Sequence, residues 1–129
     1  MGKEQYTRLT LKGLIAKKEQ MLEAKKKTKT VDVYVKSLGG TITIKAPTSE
    51  QMSDAVKMEE EGNKYLVYQC CVEPDLKSAE AQEAFGGSVP TDIVDTLFEP
   101  GEVAALSIEI ARLAGYGDNS VKIAENVKN

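Results

Sequence analysis

The chain has 129 residues, of which 41% are hydrophobic and 29% charged, and a net charge of −3. That length fits one domain, able to bury roughly two thirds of its unfolded surface without a disulfide or metal. Without a single histidine, the usual Ser-His and Cys-His nucleophile pairs and most transition-metal sites are excluded. The charge is uneven: residues 1–36 hold ten Lys or Arg against four acids, and the remainder seven against sixteen.

No window approaches the roughly 18 consecutive apolar residues of a membrane span. The opening MGKEQYTRL lacks the apolar stretch of a secretory signal. Gly2 is followed by Tyr6, where the myristoylation motif wants Ser or Thr. Adjacent Cys70 and Cys71 make a poor disulfide framework and suit a reducing compartment. The chain reads as soluble and cytoplasmic, with no membrane partner.

In chain order, residues Thr7 to Lys29 predict a helix with Leu11, Leu14, Ile15, Lys18 and Leu22 on one face. Glu23 and Lys27 stand at the four-residue spacing that favours an ion pair. Two alternating runs follow, Val31 to Lys36 and Thr41 to Ala46, with Gly39-Gly40 between them. They predict a β-hairpin, which needs cover from helices or from another molecule. Thr48 and Gln51 have capping-box spacing, so a helix is expected from there to Glu61. It would turn Met52, Ala55, Val56 and the Met58-Glu59 stems inward and stop at Gly62-Asn63.

The stretch Lys64 to Ser78, KYLVYQCCVEPDLKS, carries no charge from Tyr65 to Val72. It reads as a buried helix ended by Pro74. Asp75 to Phe85 predicts a short helix closed by Gly86-Gly87, and Pro90 or Thr91 begins another through Leu97-Phe98. Pro100 suits a first helical position. The last helix is expected from there to Ala114, with Val103, Leu106, Ile110 and Leu113 inward. The expected fold is mainly α with one small β-hairpin: a single domain over 1–129, an ordered body from about 9 to 117, and a mobile tail over 118–129.

Residue types that could carry chemistry are present but not assembled. Cys70 and Cys71 lack the further ligands that zinc requires and read as small buried hydrophobes. Glu59-Glu60-Glu61 lacks the alternate spacing of a calcium loop. Gly86-Gly87-Ser88 lacks the lysine and preceding strand of a phosphate loop. No catalytic, metal or cofactor-binding residues are assigned, and an enzyme is not expected. The lysines of the first helix could meet phosphates. However, only Arg8 and Arg112 are arginines, no aromatics interleave the lysines, and the body is acidic, all of which weighs against nucleic acid. The same asymmetry allows the basic arm of one copy to meet the acidic body of another, a head-to-tail contact.

Taken together, VDVYV and TITIKAPT, then EQMSDA, NKYLVYQCCVEPDLKS and PTDIVDTLFEPGEVAALSIEIARLAG resemble the XkdN-like family of phage tail assembly chaperones, found in prophages and long-tailed phages of Gram-positive bacteria. The likeness spans roughly Leu9 to Gly117. It implies a non-enzymatic factor that binds the tape-measure protein, keeps it soluble and helps recruit tail-tube subunits, with no catalytic or metal residues to carry over. The alternative is a minor structural component kept in the virion. A chaperone of amphipathic helices needs an apolar groove. Candidate lining residues are Met52, Met58, Leu97, Phe98 and Leu106, each with ordinary core packing as the competing reading. Lys25, Lys26 and Lys27 are the candidate charged contacts, with self-association expected.

Overall fold

The computed structural model describes residues 5–117, 120–125 and 127–128. In chain order its elements are β1 (Tyr6–Thr7), α1 (Leu11–Ala16), α2 (Lys18–Lys26), β2 (Thr30–Val35), β3 (Gly40–Lys45), α3 (Ser49–Lys57), α4 (Gly62–Cys70), β4 (Cys71–Glu73), α5 (Ala79–Phe85), α6 (Asp92–Leu97), α7 (Pro100–Leu113) and β5 (Val127–Lys128). The fold is mainly helical with a small antiparallel sheet. The chain divides into two units, residues 1–28 with 118–129, and residues 29–117.

In the first unit, β1 and β5 pair in parallel over two residues each, and the Lys122 ammonium lies 5.6 Å from the centre of the Tyr6 ring. The expected mobile tail falls partly outside the described residues. The expected single helix from Thr7 to Lys29 is two. Thr10 caps α1 by accepting from the Gly13 N–H at 3.0 Å. At Lys17 the backbone sits at φ −101°, ψ 9°, and its N–H bonds to the Leu14 carbonyl at 3.1 Å. That three-residue closure is a 3₁₀ turn, tighter than the α-helix on either side. Lys27 has already left the helix at ψ 126°, so Glu23 pairs with Lys26 at 3.9 Å instead. Both partners are exposed, and such a pair contributes little.

The second unit holds the core, in which Ile44, Val67, Cys70, Leu76, Ile93, Val94 and Ile110 are fully buried. The hairpin forms in the register Val31↔Ile44, Val33↔Ile42, Val35↔Gly40. Side chains alternate across a sheet, so Val35, Ile42 and Ile44 are buried. On the opposite face the Thr43 hydroxyl donates to Asp32 at 2.6 Å. A 3₁₀ turn over Lys36–Leu38 joins the strands, and Gly39 closes it at φ 65°, the left-handed conformation that glycine adopts freely.

A third strand, β4, completes the sheet in the order β2-β3-β4. The helix expected to run on to Pro74 is shorter than that. It stops at Cys70; Pro74 restricts only Glu73 to extended backbone, and the open side of β3 takes up the residues before it. Cys71–Glu73 then pair with β3, Ile44↔Cys71 and Thr43↔Glu73, with a bulge between. Cys71 becomes buried by this pairing, while Val72 stays 41% exposed.

The expected capping box at Thr48 is present: its hydroxyl accepts from the Gln51 N–H, and the Gln51 side chain accepts from the Thr48 N–H, both at 3.0 Å. The helix ends earlier than predicted, at Lys57, and Gly62 begins the next helix instead of stopping this one. Glu59 makes the left-handed turn, at φ 52°. A non-glycine residue there costs about 1 kcal/mol. Replacing Glu59 by glycine is therefore expected to raise stability by up to about 1 kcal/mol in urea titration; a loss would mean that the Glu59 side chain stabilises the turn.

Gly62 serves close approach. A Cβ built on it would lie 2.2 Å from the Ala55 carbonyl oxygen, so α3 and α4 pack with backbone against backbone. Farther along α4, Lys64 reaches Asp95 at 2.6 Å, Glu61 at 3.5 Å and Asp92 at 3.7 Å, tying α4 to α6. The hydrogen bond to Asp95 raises the Lys64 pKa more than burial lowers it.

The predicted helix from Asp75 begins only at Ala79. Asp75 accepts from the Lys77 N–H at 3.0 Å, and the Ser78 hydroxyl accepts from the Ala81 N–H at 3.1 Å as the N-cap. Both short polar side chains compete for backbone that a helix would otherwise use. Gln82 then donates to the Leu76 and Pro90 carbonyls, both at 2.9 Å, fixing the loop into α6. As expected, α7 starts at Pro100 and buries Val103, Leu106 and Ile110, and Leu113 packs at the core's edge.

Candidate protein-binding surfaces

Among the described residues, three open apolar surfaces stand out. The first is a groove between β2 and α7, about 230 Å³ in volume, floored by Val33, Val35, Ala105 and Leu106 and rimmed by Lys36, Glu102 and Glu109. Its strand wall is a sheet edge, since β2 pairs only with β3 among the described residues. Its helix wall is set by Glu102. One Glu102 oxygen accepts from the Ser37 N–H at 3.0 Å. The other accepts from the Ser37 hydroxyl at 2.6 Å and the Glu99 N–H at 2.9 Å. The start of α7 is thereby bound to the turn between β2 and β3. These bonds, the Ser37 hydroxyl first, hold the Glu102 carboxyl below the ordinary glutamate range.

The second surface lies on α1 and α2, where Leu14, Ile15, Lys18, Met21 and Leu22 line a shallow cleft of about 180 Å³. Their spacing is that of one helix face, and it runs unbroken across the turn at Lys17. The third is on α3. Val56 is 72% exposed and Met58 41% exposed. Both were expected inward, but Ala55 takes the buried position of α3, Val56 one residue on faces away from it, and the helix ends before Met58.

The predicted binding residues fall in both units, and within residues 29–117 they do not share one surface. Lys25 and Lys26 form the last turn of α2, followed by Lys27, all exposed. Met52 is half-buried on α3, four residues before Val56. Leu97 packs against the core, and Phe98 and Leu106 belong to it, each under 6% exposed. Leu106 also floors the β2–α7 groove. Sequence reasoning missed Val33 and Ala105. Val33 gave the inward signal of strand alternation, but nothing local says that the layer over it is incomplete.

The cysteines are chemically quiet. Burial raises the Cys70 pKa, and burial with nearby Glu73 and Asp75 pushes Cys71 up to about 12. The Cys71 thiol donates to the Pro74 carbonyl at 3.2 Å. Among the described residues, no group of three or more Cys, Asp or Glu is placed to hold a metal, and no helix is long and apolar enough to cross a membrane.

Open apolar faces on a braced helix-and-sheet body are the equipment of a protein-binding module. Over residues 1–128 the chain matches the family model described as phage XkdN-like tail assembly chaperone protein, and it belongs to that family. No curated protein and no solved structure matches it. Membership places the chain among phage tail assembly chaperones, with protein partners in tail assembly.

Proposed function

We propose that this protein is a non-enzymatic chaperone of the tape-measure protein, acting in the cytoplasm of the host cell. It holds amphipathic helical segments of that partner in solution until tail-tube subunits are recruited around them. The observation that carries the reading is family membership across nearly the whole chain. The α3 surface supports it. Met52 and Val56 stand four residues apart, so they share a face, and Met58 follows at the helix end. Flexible methionine side chains adapt to varied apolar partners, which suits a client presenting many similar helical stretches.

Co-expression tests the reading. The cognate tape-measure protein is expected to move from the insoluble to the soluble fraction and to co-purify with this chain. Val56→Asp combined with Met58→Asp should remove most of that gain without unfolding the protein, since both positions are exposed. No gain in soluble tape-measure protein with the unaltered chain would reject the function. A gain that survives the double substitution would reject the α3 surface.

A further inference from the structure

Each copy carries two open apolar surfaces of opposite rim charge. The α1–α2 stripe leaves Ile15 61% and Leu22 52% exposed. Lys18 lies within it, and Lys25 stands seven residues on, which places it on the same face. The β2–α7 groove has Glu102 and Glu109 on its helix rim, against Lys36 on the strand side. Glu109 is paired with Arg112 at 2.6 Å, but their side chains are 47% and 62% exposed, and such a pair exchanges partners at little cost.

The two also agree in length. Leu14 to Leu22 spans about 12 Å of helix, and Glu102 to Glu109 about 10 Å, at about 1.5 Å per residue. We propose that the α1–α2 stripe of one chain seats in the β2–α7 groove of a second copy, with Lys18 and Lys25 facing the Glu102 and Glu109 rim. The occupant is another copy because every chain supplies both faces, in equal number and with matching charge. Each chain then uses one face on each neighbour, so the contact is heterologous and repeats head to tail. The contact is small beside the roughly 800 Å² per partner of a stable interface, so assembly is weak and rises with concentration.

Light scattering on the purified full-length chain tests this without any tape-measure protein, so its outcome is separate from that of the chaperone reading. Wild type is expected to rise above the one-chain mass across a concentration series. A stripe variant, Ile15→Asp with Leu22→Asp, and a groove variant, Ala105→Arg with Glu109→Lys, should each remain at one chain. All four positions are exposed, so folding is spared. Mixed in equal amounts, the two variants should reach the two-chain mass and stop, because each retains the face that the other lacks. A wild type that stays at one chain at every concentration overturns the proposal. Variants that associate like wild type overturn it too, as does a mixture that stays at the one-chain mass.

Discussion

Gly62→Ala is expected to lower stability by about 3 kcal/mol, toward the upper end of what overpacking costs. Helix propensity alone gives the opposite sign, because alanine in place of glycine favours a helix by about 1 kcal/mol. Gly62 has ordinary helical angles, φ −62° and ψ −41°, so no backbone strain offsets that gain. Contact decides the sign. The new methyl would lie 2.2 Å from the Ala55 carbonyl oxygen and 3.0 Å from its carbon. Those atoms belong to the backbone of α3 and cannot rotate aside, so α3 and α4 must part. Urea denaturation followed by circular dichroism measures the effect, and an unchanged or raised midpoint would sink the argument.

A steep alkaline loss of stability, traceable to Cys71, is the second large effect. The folded thiol titrates at about 12, raised first by burial and then by Glu73 and Asp75. In the unfolded chain it titrates near the ordinary thiol value of about 8.5–9. Between those values the unfolded state releases a proton that the native state retains, so stability falls as pH rises. Below the unfolded value the contribution is fully present. The slope approaches about 1.4 kcal/mol per pH unit, or about 2 kcal/mol between pH 8.5 and 10.5 once the unfolded thiol is largely ionised. Cys71→Ala leaves a small cavity and starts from a lower value at neutral pH. Its stability should nevertheless decline more gently with pH than that of wild type, because the other raised groups, Cys70, Lys64 and Tyr65, are present in both. Denaturant titrations of the two proteins at a series of alkaline pH values check this. Parallel declines would show that the thiol does not couple to folding.

Both effects arise where local sequence signals run out. The hairpin, the Thr48 capping box, the Pro100 helix start and the inward face of α7 were all legible, because each rests on spacing over a few residues. Gly62 was read as a stop because glycine commonly ends helices. Its actual role depends on how near Ala55 comes, a distance that no neighbouring residue encodes. The run from Tyr65 to Val72 is uncharged and mostly apolar, and such a run does not distinguish helix from strand. What turns Cys71 to Glu73 into a strand is the open side of β3, which exists only once the hairpin has formed. The binding surfaces follow the same pattern. Their apolar residues were visible in the sequence. Which of them the core covers depends on packing between distant segments: Phe98 and Leu106 are enclosed, while Val56 and Met58 remain outside.

The Glu102 carboxylate has a consequence for any ligand of the β2–α7 groove. Its three hydrogen bonds, two to Ser37 and one to Glu99, lock the spacing between strand wall and helix wall at one end before anything arrives. The groove is thus preorganised, and the entropy lost on docking falls mainly on the incoming segment. An affinity limited by modest contact area is in this way partly recovered through rigidity.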